Sequence, residues 1–89
     1  GLTRPSAALE PVSIARTPES WRVLFNNPER EATLTVFSLD GRPVMQRRLS
    51  GVQQAHEEVI DLAQFKAGAY VLSITTPGTR VARRLIVTH

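Results

Sequence analysis

In two separate segments, Trp21-Val23-Phe25 and Tyr70-Leu72-Ile74, every second side chain is large and apolar. A strand turns successive side chains to opposite faces, so a period of two gives each segment one face for a core. Ala32-Leu34-Val36 repeats the pattern. Phe37 and Leu39 then fall on the opposite face, where a bulge or a two-sided strand is expected. No 3.6-residue period is sustained anywhere, which argues against a helical bundle.

Turn chemistry cuts the chain into seven short β segments: Leu9-Arg16, Ser20-Phe25, Glu31-Leu39, Pro43-Leu49, Glu57-Leu62, Ala69-Thr76 and Thr79-Val87. Asp40-Gly41 suits a tight primed hairpin turn, because both residues tolerate positive φ, and this pairs the third segment with the fourth. In Thr76-Pro77-Gly78-Thr79, Pro at the first central position and Gly at the second fit a type II turn joining the last two strands. Asn26-Asn27-Pro28-Glu29 reads as the loop between the second and third. Gln53 to Gln64 has a composition compatible with a turn or two of helix, but Val59, Ile60 and Leu62 favour a strand. The fold class expected is all-β: an immunoglobulin-like antiparallel β-sandwich of about seven strands.

The 89 residues have room for one domain with one modest core. Residues 1–8, with Pro5 and Ser6 among small side chains, read as a linker to something upstream, and 9–89 as the sandwich. The absence of cysteine excludes disulfides, a thiolate nucleophile and a cysteine zinc site. Apolar runs such as Tyr70-Val71-Leu72 and Leu85-Ile86-Val87 fall far short of the roughly 18 residues of a membrane-spanning helix. The net charge of +3 is compatible with an anionic partner without identifying one.

Few residues invite a chemical role. His56, Glu57, Glu58 and Asp61 are the one local group resembling a metal or acid-base cluster. On a strand, however, His56 and Glu58 share one face while Glu57 and Asp61 share the other, so a solvated strand edge is the better reading. Ser50 or Ser73 combines with His56 and Asp61 into a triad only on paper, since no nucleophile elbow or Gly-rich oxyanion motif surrounds either serine. No enzyme activity, metal or cofactor is therefore expected, and His89 receives no role. Arg47-Arg48 and Arg83-Arg84 invite phosphate, but adjacent strand residues point apart and no row of exposed aromatics interleaves them, which disfavours nucleic acid. Trp21, Phe25, Phe37, Phe65 and Tyr70 are better used as core than as a ligand groove, and Tyr70 suits a corner anchored through its hydroxyl.

Three segments, in order, resemble a known family. In Val36-Phe37-Ser38-Leu39-Asp40-Gly41-Arg42-Pro43-Val44 a strand enters a Gly-Arg hairpin followed by Val. Ile60-Asp61-Leu62 then leads through Phe65 and Gly68 to Tyr70-Val71-Leu72, and Arg84-Leu85-Ile86-Val87 places a basic residue before an aliphatic run. This arrangement resembles the C-terminal sorting domains of the type IX secretion system over Trp21 to Val87. Ser38 departs from the family's frequent Asp, Arg84 from its more usual Lys, and Asn27-Pro28 lies nearer the Gly-Arg turn than the family's Asn-Pro.

The resemblance implies a non-enzymatic address. The parent protein would cross the inner membrane by another signal, and this domain would be recognised by the outer-membrane translocon. In many members a surface sortase removes the domain, and the linker at Gly1 to Ala8 is then the expected region of cleavage. Recognition is expected at Arg83, Arg84, Leu85, Ile86 and Val87, with Gly41, Arg42, Gly68 and Tyr70 as fold motif. A dimer through exposed edge strands is a secondary expectation. The rival readings are an immunoglobulin-like adhesion or carbohydrate-binding module and, last, a small hydrolase.

Overall fold

The computed structural model describes residues 10–88; the expected linker at 1–8, the first residue of the expected Leu9 strand, and His89 lie outside the described residues. Among the described residues seven strands form: β1 (Val12–Arg16), β2 (Ser20–Phe25), β3 (Glu29–Ser38), β4 (Pro43–Val52), β5 (His56–Asp61), β6 (Gly68–Thr76) and β7 (Thr79–Val87). A three-stranded sheet in the order β1-β2-β5 packs on a four-stranded sheet in the order β4-β3-β6-β7, with antiparallel pairing throughout. This is the expected immunoglobulin-like sandwich.

The alternating segments do what their period requires. Trp21, Val23 and Phe25 of the small sheet and Leu34, Val36, Leu72 and Ile74 of the large one are at most 1% exposed and form the shared core. Full burial contributes roughly 1.5–3 kcal/mol for each large apolar side chain before ordering costs. Trp21 stacks on Phe65 at 6.0 Å between ring centroids, and Phe65 meets Tyr70 at 5.4 Å. The strand reading of Val59 and Ile60 holds, and among the described residues helix is confined to a single 3-10 turn over Leu62–Gln64.

Two turns differ in type from expectation while joining the strands expected of them. The β3–β4 loop is not a two-residue primed turn. Ser38 N–H donates to Arg42 C=O and Gly41 N–H to Ser38 C=O, both at 2.9 Å, so three residues lie between the closing pair. Gly41 alone takes positive φ, +87°. Asp40 tolerates that region without requiring it, and a three-residue loop ending in a left-handed Gly suits the strand twist equally well. The β6–β7 turn is not type II either, because Gly78 is not among the glycines with positive φ. Pro77 fixes only the first central φ, which types I and II share.

The bulge expected near Phe37 is present, with its extra residue in the partner strand. Val36 faces Met45 and Phe37 faces Pro43, so Val44 has no opposite number. Across β6 the ladder runs unbroken, from Val36 opposite Leu72 to Phe37 opposite Val71.

Candidate functional site

The expected recognition segment lies in β7, and strand parity divides it. The pairing runs from Thr79 opposite Thr76 to Leu85 opposite Tyr70 and Val87 opposite Gly68. Leu85 and Val87 therefore share the inward face of Tyr70 and are each 2% exposed. No partner can touch them while the domain is folded. Arg84 and Ile86 point outward, and Ile86 is 61% exposed. Arg83 belongs to the inward set but is exposed, in a shallow depression beside β1 lined also by Ile14, Arg16, Arg84 and Leu85. Its guanidinium reaches Glu10 at 3.8 Å.

The fold-motif residues act locally. Gly41 has open space around it, so its positive φ rather than crowding is what favours Gly. Arg42 contributes its carbonyl to the loop, while its side chain pairs with Asp40 at 3.4 Å in the open. Ser38 Oγ donates to the Asp40 carboxylate, and this hydrogen bond, with backbone N–H groups of Arg42 and Asp40, holds the Asp40 pKa below its ordinary value against the opposing cost of desolvation. At Asp61-Leu62, the Asp61 carboxylate accepts from Ala63 N–H at 2.9 Å and caps the 3-10 turn, and Leu62 drops into the core. Gly68 opens β6, and Tyr70 Oη donates to Lys66 C=O at 2.7 Å, the kind of backbone anchor expected of it.

The acidic cluster divides as strand geometry requires, with one participant that the sequence reading missed. His56 and Glu58 share a face and meet at 2.8 Å, whereas Glu57 turns away to Arg22 at 3.7 Å. From the opposite sheet Arg47 donates to Glu58 at 2.9 Å and to Val59 C=O at 3.1 Å. Desolvation raises the Glu58 pKa, but hydrogen bonds from His56 and Arg47 and the Arg47 charge outweigh it, and the net shift is downward. The signal for Arg47 was its place between Met45 and Leu49 at the inward parity of β4, where a cation needs a carboxylate. Among the described residues no three His, Asp or Glu side chains gather as metal ligands.

The aromatic residues decide against a ligand platform: Trp21, Phe25, Phe65 and Tyr70 are buried and Phe37 is half-buried. An adhesion or carbohydrate-binding module would then have to bind through its loops rather than an aromatic face.

No curated protein matches the sequence. Residues 18–88 match the family described as the secretion system C-terminal sorting domain. The match begins just before β2 and runs one residue past β7, taking in all three segments of the resemblance. The chain thus belongs to the secretion system C-terminal sorting domains, signals that engage the type IX machinery and direct export across the outer membrane to the cell surface or beyond.

Proposed function

We propose that this domain is read in its folded state, as a non-catalytic label carried through a periplasmic intermediate and recognised by the outer-membrane translocon through the solvent-facing residues of β7. The observation that carries this reading is the parity of the strand. Arg83, Arg84 and Ile86 reach solvent, whereas Leu85 and Val87 contribute by holding β7 against the core. Recognition and folding are thereby assigned to different members of one short segment. Processing by a surface sortase, where it occurs, falls in the region of residues 1–8, ahead of the first strand.

The test fuses residues 1–89 to the C terminus of a fluorescent reporter directed to the periplasm. Surface and medium fluorescence are compared in secretion-competent and translocon-deficient strains. Export only in the competent strain is the expected result. Retention of the folded fusion in the periplasm of both strains overturns the proposal and returns the adhesion-module reading to first place.

A further inference from the structure

The outward face of the four-stranded sheet is divided into two unlike halves. At one end stand hydroxyls and amides: Thr33 beside Thr75, Thr35 beside Ser73, and Gln46, whose Nε2 lies 3.4 Å from Thr35 Oγ1. At the other end the rows become apolar. Phe37 lies opposite Val71, Val71 opposite Arg84, and Ala69 opposite Ile86. The bulge residue Val44 and the loop residue Leu39 extend this end, being 47% and 63% exposed. Three of the four exposed large hydrophobic residues among the described residues, Leu39, Val44 and Ile86, therefore gather at one end of one face. Clustered rather than scattered apolar exposure marks an interaction surface.

Charge narrows what covers it. The outward positions of β4, β3, β6 and β7 carry Arg48, Arg80 and Arg84, and their carboxylates, Glu29 and Glu31, stand at the far, polar end of β3. Nearby, the Asp40 carboxylate is already paired with Arg42. At the apolar end Arg84 is the outward strand charge, and two copies stacked apolar end on apolar end would bring no strand carboxylate to either Arg84, so that end suits an unlike partner. We propose that Phe37, Leu39, Val44, Val71, Arg84 and Ile86 form the docking face for a protein surface of the export machinery whose aliphatic centre is bordered by carboxylates. This rests on the reading of the domain as a sorting signal and assigns where on it the partner sits. Six side chains fall well below the roughly 800 Å² per partner of a standard stable complex, as suits a label that must be released.

The test uses the reporter fusion with four single variants. Ile86→Glu and Arg84→Glu should each lower exported fluorescence about tenfold, Arg84→Lys should keep most of it, and Arg30→Glu, the same charge change off this face, should leave it unaltered. Circular dichroism melting of each isolated domain should show Tm unchanged, since both face residues are exposed. Normal export of folded Ile86→Glu and Arg84→Glu overturns the docking face while the sorting reading survives. Failure of the wild-type fusion in both strains removes that reading and the docking face with it. Sedimentation velocity of the wild-type domain should give a monomer; a dimer dissociated by Ile86→Glu would assign the face to a second copy and overturn the proposal.

Discussion

The two open sides of the sandwich are closed by different means. Where β4 meets β5, Arg47 spans from one sheet to the other, binding both the Glu58 carboxylate and the Val59 carbonyl, with His56 holding the second carboxylate oxygen. Where β7 meets β1, the only ion pair between described residues is Arg83 with Glu10 at 3.8 Å, both largely exposed. That side is held from within by Leu85 and Val87. A polar clamp satisfies groups that would otherwise be buried without partners, whereas apolar closure leaves the outward half of the strand free for other uses. The side proposed for recognition is the one closed chiefly by apolar packing.

This contrast can be broken in four ways. Leu85→Ala should have the largest effect, about 2–5 kcal/mol, read as a large fall in Tm or outright unfolding; a loss below about 1 kcal/mol would mean that packing does not hold β7. Arg47→Ala should cost about 1–2 kcal/mol, a fall in Tm on the order of 10 °C for a domain of this size. Acid should weaken the same clamp. The Glu58 pKa is depressed on folding, so its contribution is complete above the ordinary value of 4.5 and is lost as pH falls through the lower folded value. Urea midpoints between pH 6 and pH 3 should therefore decline more steeply in the wild type than in Glu58→Gln. Arg83→Ala should be smallest, within about 0.5 kcal/mol, because exposed ion pairs contribute little. Equal losses for Arg47→Ala and Arg83→Ala would erase the distinction between the two sides.

The core faces and the two hairpins were legible because they depend on local periodicity and turn residues, whereas the pairing of β2 with β5 and of β3 with β6 joins segments distant in the chain and was not. Trp21-Val23-Phe25 and Tyr70-Leu72-Ile74 announce their own inward faces, and Asp40-Gly41 and Pro77-Gly78 mark hairpins whichever turn they adopt. Turn type was not legible, since Pro and Gly permit several backbone paths and neighbouring strands choose among them. Arg47 was noticed only as half of an arginine pair, and its link to Glu58 was missed because its partners lie in the other sheet and no spacing within β4 or β5 reports the distance between sheets. Leu85 and Val87 were readable in part. A two-residue turn after Thr76 places Leu85 opposite Tyr70 and thus inside, a deduction that the expected hairpin already permitted.

β7 is, in effect, a text read in a frame of two. Its odd-numbered letters from Val81 onward face the core or the depression beside β1, its even-numbered letters face solvent, and both readings share one backbone. Losing a single residue within the strand would exchange the two, burying Arg84 and Ile86 and expelling Leu85 and Val87. Substitutions edit one reading at a time, but a one-residue indel garbles both together. Length variation among sorting signals built this way should therefore collect in connections such as Asn26-Asn27-Pro28, and be absent between Thr79 and Val87.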